Sequence, residues 1–130
     1  MPWFIVVSSD ETALKLAVTT AQVAGYTTLP PFLNTDEFLR WLGSPEFQSP
    51  AFILLDIDDV PQNHSAIWYI KETLAKKQSG ENLLKCVILS KNSAWKLSLQ
   101  KLSVEGFLDK NKGENAFVQE LYGLLERELA

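Results

Sequence analysis

Apolar runs of strand length alternate along this chain with stretches whose apolar positions recur at helical spacing. Trp3 to Val7 reads as a first strand. The polar turn Ser8-Ser9-Asp10-Glu11 can cap a helix whose apolar positions are Leu14, Ala17, Val18, Ala21 and Ala24, stopped by Gly25. Tyr26 to Leu29 predicts a short second strand, ended by Pro30-Pro31 because proline cannot donate to a central ladder. Asn34 or Thr35 can cap a second helix with Phe38, Leu39 and Leu42 on its stripe, ended by Gly43-Ser44-Pro45. The run Phe52 to Asp59 turns abruptly from apolar to acidic at Asp56. After a Pro61-Gln62-Asn63 loop comes a helix with Ile67, Ile70 and Leu74 inward, then a polar stretch from Lys76 to Asn82. Cys86 to Leu89 predicts a fourth strand and Val104 to Leu108 a fifth, with a short helix opened by Ser93 between them. Gly113 to Leu129 predicts a last helix carrying Phe117, Leu121, Leu124 and Leu125.

Five strands alternating with five helices predict a doubly wound α/β domain over residues 1–130, its parallel sheet joined by right-handed crossovers. There is no internal repeat or linker to divide it. Such a sheet gathers its chemistry at the carboxyl ends of its strands. Three strands end there in complementary groups: Asp56 after Phe52-Ile53-Leu54-Leu55, Ser90 after Val87-Ile88-Leu89, and Lys110 after Gly106-Phe107-Leu108-Asp109. An acid, a hydroxyl and an ammonium on one edge suit a phosphoryl group, whose oxygens take donors and positive charge.

Composition narrows the function classes. With 130 residues, 46% of them hydrophobic and 22% charged, the chain can close a single core and does not have the composition of a disordered segment. A net charge of −4 argues against nucleic acid or an anionic membrane surface as partner, since either needs a basic face. The lone cysteine, Cys86, has no partner for an internal disulfide and fits a reducing cytoplasm as a buried thiol. The apolar stretch Trp3 to Val7 is too short for a signal peptide or a span, so a cytoplasmic location is expected. His64, on a loop after Pro61, reads as a surface residue.

Over essentially its whole length the chain resembles the receiver domains of two-component response regulators. The resemblance rests on Leu54-Leu55-Asp56-Ile57 followed by Pro61, on Val87-Ile88-Leu89-Ser90, on Gly106-Phe107-Leu108-Asp109-Lys110, and on Ala24-Gly25-Tyr26. It implies a flavodoxin-like sheet in the order 2-1-3-4-5. It implies Asp56 as phosphoacceptor, Ser90 and Lys110 as the groups that receive the phosphoryl oxygens, and Ser90 with Phe107 as the switch pair. A domain of this kind is no enzyme beyond accepting a phosphoryl group. Its partners are proteins, a histidine kinase or a downstream regulator, with a homodimer as a further assembly. The face of the fourth helix, fifth strand and fifth helix, with Trp95, Lys96 and Phe107, would be the signalling surface.

The departures from that pattern are as informative. Ser8 and Ser9 stand where the family carries an acid pair for Mg²⁺, and neutral hydroxyls are poor ligands for a hard dication. Metal binding would then fall to Asp56, Asp10 and Asp58, so Mg²⁺ is expected to bind weakly or not at all. Lys91 follows Ser90 where a small residue is usual. The loop after Asp56 is one residue longer, and Asn111 replaces a proline after Lys110. An atypical receiver with impaired Mg²⁺-dependent phosphorylation is the reading these residues favour. A fully competent phosphorelay regulator is the alternative. A flavodoxin-like ligand-binding protein is a more distant one, because Ser8-Ser9-Asp10-Glu11-Thr12 lacks the glycines of a phosphate-cradling loop.

Overall fold

The computed structural model describes residues 3–33, 35–42, 51–59, 84–91 and 105–129. Five strands form one all-parallel sheet: β1 (Trp3–Val7), β2 (Thr27–Thr28), β3 (Ala51–Asp56), β4 (Leu84–Ser90) and β5 (Gly106–Asp109), in the order β2-β1-β3-β4-β5. Three described helices accompany them: α1 (Glu11–Val23), α2 (Thr35–Leu42) and α3 (Glu114–Leu129). This is the doubly wound architecture that the alternating pattern predicts. The two helices expected around Ile67 to Leu74 and after Ser93 lie outside the described residues, as do His64, Trp95 and Lys96.

The central strands are apolar on both faces, as a covered parallel sheet requires. Phe4 and Val6 of β1, Phe52 and Leu54 of β3, Val87 and Leu89 of β4 and Leu108 of β5 form one buried cluster with α1 and α3. Ile5, Val7, Ile53, Leu55, Cys86 and Ile88, the alternate residues along the same strands, are buried as well. The inward face of α1 is made of Ala13, Ala17, Thr20 and Ala21. Leu14 and Val18, expected at its centre, only flank the core. The small residues let the α1 backbone sit close to the sheet, and Thr20 satisfies its hydroxyl by donating to the Leu16 carbonyl at 2.6 Å.

Three strands differ in extent from the sequence pattern, β5 by running from Gly106 to Asp109 where Val104 to Leu108 is expected. β2 has only Thr27 and Thr28, because Pro30 and Pro31 have no N–H to give. The chain nevertheless continues beside β1: the Phe32 amide donates to the Val6 carbonyl and the Ser8 amide to the Phe32 carbonyl, each at 3.0 Å. β4 starts earlier than expected, at Leu84. Its Cys86 amide donates to the Glu105 carboxylate at 2.6 Å, and the Glu105 amide to the Cys86 carbonyl at 2.8 Å, so the entry to β5 is fastened before the strand begins. Burial, with the Glu105 charge nearby, pushes the Cys86 thiol up to about 12, which leaves it protonated and unreactive.

Tyr26 ties the turn after α1 to the far end of the chain. Gly25 takes the positive φ of 96° that closes α1, and the buried Tyr26 hydroxyl then donates to the Leu125 carbonyl at 2.9 Å. Tyr26→Phe keeps the ring among Phe4 and Phe52 but removes that donor. It should lower stability by about 1 kcal/mol, read as a urea midpoint shifted without a change in slope.

Candidate functional site

Strand register brings four polar residues to one edge. Val7 pairs with Leu55, Asp56 with Leu89, and Ser90 with Asp109. Ser8, Asp56, Ser90 and Lys110 are therefore the final or first following residues of β1, β3, β4 and β5. Asp56, Ser8 and Ser90 are the buried polar residues here, each about 1% exposed.

Asp56 has a donor on each oxygen. Its Oδ2 accepts from the Lys110 ammonium and from the Ser8 hydroxyl, both at 2.6 Å, and its Oδ1 accepts from the Asp58 amide at 3.0 Å. Burial raises the Asp56 carboxyl above the usual range, and the bonds from Lys110 and Ser8 offset only part of that. Ser8 is itself oriented, since its oxygen accepts the Asp10 amide at 3.0 Å. Its neutral hydroxyl thus acts as a donor to the buried acid.

Asp58 follows Asp56 in a 3-10 turn (Ile57–Asp59), which swings its side chain toward β4. It accepts the Ser90 hydroxyl at 2.7 Å and the Lys91 amide at 3.0 Å, and Lys110 lies 3.3 Å away. Burial works against its ionised form, but the Ser90 hydroxyl, the Lys91 amide and the Lys110 charge outweigh it and hold the carboxyl below the usual range. Lys110 in turn is penalised by burial yet raised overall by its bonds and charge interactions with Asp56 and Asp58.

Asp10 completes the group from the α1 side. One oxygen caps α1 by accepting the Thr12 and Ala13 amides at 3.1 and 3.3 Å, and the other lies 3.6 Å from Lys110. The Lys110 ammonium is thus within 4 Å of three carboxylates. A Mg²⁺ ion bound to Asp56 would need an oxygen at about 2 Å and an open octahedral shell. Here that space borders an ammonium held 2.6 Å from the same carboxylate. Asp58 accepts from Ser90 of β4 and from Lys91, the residue that follows it, and one oxygen of Asp10 is taken by the helix cap. No group of three or more metal-ligating side chains able to hold an ion exists among the described residues.

The sequence-predicted residues therefore divide. Asp56, Lys110, Asp58 and Asp10 come together. Ser90 joins them through Asp58. Phe107 lines a separate groove between β5 and α3, with Gln119, Gly123, Leu124 and Arg127. Ser8 is the group whose part the residue pattern left unassigned; its place directly after the apolar run of β1 was the available signal. Asn111 is another, and its side chain donates to the Lys91 carbonyl at 2.6 Å.

A parallel 2-1-3-4-5 sheet defines the class of fold, and known structures share that fold. No family model and no curated protein matches the chain. Among solved structures it is similar to the response regulator receiver domain from Rhodospirillum rubrum, at 14% identity over 98% of this chain and 93% of that one, TM-score 0.74. It is similar to the phosphorylated cyanobacterial phytochrome response regulator RcpA, at 19% identity over 99% and 94%, TM-score 0.72. A CheY-like receiver domain from Methanospirillum hungatei matches at 13% identity over 99% and 97%, TM-score 0.69. The chain has the receiver fold over nearly its full length.

Lys110→Met keeps the alkyl stem but strands the Asp56 charge in a buried place. It should cost about 3 kcal/mol at neutral pH, measured as a loss in the urea midpoint. The folded pKa of Lys110 is raised, so its stabilisation is complete below the ordinary lysine pKa and is lost as pH climbs through the raised value. The gap between wild type and variant should accordingly persist through neutral pH and narrow in strong alkali. A gap that does not narrow would show that the lost stabilisation does not come from the lysine's charge.

Proposed function

We propose that this chain is an atypical receiver-type signalling domain: a protein-binding module, in which Asp56 is the phosphoacceptor position and Mg²⁺-dependent phosphorylation is impaired. One observation carries the reading. The Asp56 carboxylate, with no exposed side-chain surface, lies at the carboxyl edge of a receiver-type sheet, bonded to Lys110 on one side and Ser8 on the other. Receiver domains accept a phosphoryl group and pass the signal on by contact with other proteins, and no catalytic constellation beyond that is needed here. Lys110 is placed to meet a phosphoryl oxygen on Asp56. Ser90 would reach one only by leaving Asp58.

Impairment is supported by the donor set. Ser8 puts a neutral hydroxyl at the end of β1 where the receiver pattern has an acid, so a metal there would have fewer charged ligands and transfer to Asp56 would have less divalent charge to offset the moving phosphoryl group. A dinucleotide- or flavin-type role has no such support: the amides of Thr12 and Ala13, at the start of α1, are spent on Asp10. The proposed partners are a histidine kinase or a downstream regulator. The proposed contact surface includes the β5–α3 groove with Phe107, together with Trp95 and Lys96. No described helix is long and apolar enough to cross a membrane.

Incubation with Mg²⁺ and a small acyl phosphate, followed by intact mass measurement, tests the reading. Wild type should gain little phosphoryl mass, and titration of Mg²⁺ against tryptophan fluorescence should show no saturable change in the low millimolar range. Ser8→Asp combined with Ser9→Asp should introduce one. Efficient labelling of wild type, abolished by Asp56→Asn, would establish a competent phosphorelay domain instead.

A further inference from the structure

The residues around Lys91 carry an inference that the carboxylate site alone does not. Ser90 ends β4, and Lys91 is the exposed residue that follows it. Both peptide groups of Lys91 are held by side chains from other strand ends. Its amide donates to Asp58 at 3.0 Å, from the turn after β3, and its carbonyl accepts from the Asn111 side-chain amide at 2.6 Å, from the turn after β5. The residue before it is held as well, since the Ser90 hydroxyl donates to the other oxygen of Asp58 at 2.7 Å.

Each arm of this arrangement is itself fixed. Asp58 is paired with Lys110 at 3.3 Å. The Asn111 backbone amide donates to Asp109 at 2.8 Å, and Asp109 pairs in register with Ser90. The orientation of the Asn111 amide is not arbitrary: turned over, its oxygen would face the Lys91 carbonyl, setting two acceptors against each other. A proline at 111 would supply neither the backbone donor nor the side-chain donor.

We infer that Asp58 and Asn111 form a clamp that fixes Ser90 and Lys91 in one conformation, with Asn111 as a positioning residue acting through the Lys91 peptide. A serine hydroxyl has one proton, and Asp58 takes it. Any acceptor placed on Asp56 must compete with a charge-assisted bond to Asp58 and with the two bonds that hold Lys91. The β4 end therefore stays where it is unless the clamp opens. Its consequence for signalling, a domain held in a single state, rests on the function proposed above; the clamp does not.

Amide hydrogen exchange, resolved by residue in the unphosphorylated protein, tests the clamp independently of any phosphodonor. In wild type the Lys91 amide should be protected although the residue is exposed. Asn111→Asp is isosteric but replaces the donor by an acceptor, and Asn111→Ala removes the group altogether. Both should speed exchange at Lys91 about fivefold, the factor that one net hydrogen bond represents, while Ile88 and Leu89 exchange as before. Asp56→Asn should leave Lys91 protected. Three results would overturn the inference: free exchange at Lys91 in wild type, a protected Lys91 in Asn111→Asp, or acceleration spread equally through β4. A failed phosphorylation assay would leave it standing.

Discussion

Burying a carboxylate with no exposed surface is the constraint around which this edge of the molecule is organised. Desolvation of Asp56 costs several kcal/mol unless charge and donors are supplied at contact distance, and three neighbouring elements supply them. β5 delivers the Lys110 ammonium, β1 delivers the Ser8 hydroxyl, and the turn after β3 folds back so that the Asp58 amide reaches the free oxygen. The compensation is incomplete, for the carboxyl remains raised. An acid left in that condition is strained electrostatically in its resting state, which is a property of functional sites more often than of structural ones.

The second carboxylate resolves the excess charge at Lys110. One ammonium cannot neutralise Asp56, Asp58 and Asp10 together, so the acids are divided among different tasks. Asp10 spends its charge on the α1 amides, where the helix dipole favours it. Asp58 spends its charge on Ser90 and Lys91, and its carboxyl falls below the usual range while that of Asp56 rises. Two acids two residues apart thus have opposite shifts because one lies wholly under the sheet edge and the other at its rim. The same division gives each acid its own protein partners: Lys110 and Ser8 for Asp56, Ser90 and Lys91 for Asp58, and the α1 amides for Asp10.

Much of this was legible in the sequence, for physical reasons that can be named. A parallel sheet aligns its strand ends, so apolar runs closing on Asp56, Ser90 and Lys110 were enough to place three side chains on one edge without knowledge of the register. The strand order followed from the receiver resemblance. What the pattern could not give were choices made by single turns. The 3-10 turn at Ile57–Asp59 decides that Asp58 faces β4, and with it that Ser90 bonds Asp58 rather than Asp56. Periodicity carries no information on a three-residue turn. The apolar stripe read for α1 included Ala17 and Ala21 but also Leu14 and Val18, whereas close approach to the sheet selects Ala13, Ala17 and Ala21. Ser8 was read for what it cannot do for a metal, and its capacity to donate to a buried acid went unused.

The unusual residues are best understood together rather than one at a time. Ser8 at the end of β1, the added length after Asp56, Lys91 and Asn111 each depart separately from the receiver pattern. In space Ser8, Lys91 and Asn111 lie about two adjacent points, the Asp56 carboxylate and the Lys91 peptide. Ser8 brings a hydroxyl and no charge to Asp56, which leaves Lys110 as the principal countercharge of that acid. The turn after β3 brings its own acid to the end of β4, where Asp58 accepts from Ser90 and Lys91. Asn111 then completes from the β5 side what Asp58 begins from the β3 side. The two points are joined by Lys110, which lies 2.6 Å from Asp56 and 3.3 Å from Asp58, so the charge at the buried acid and the bonds that hold the end of β4 meet at one ammonium.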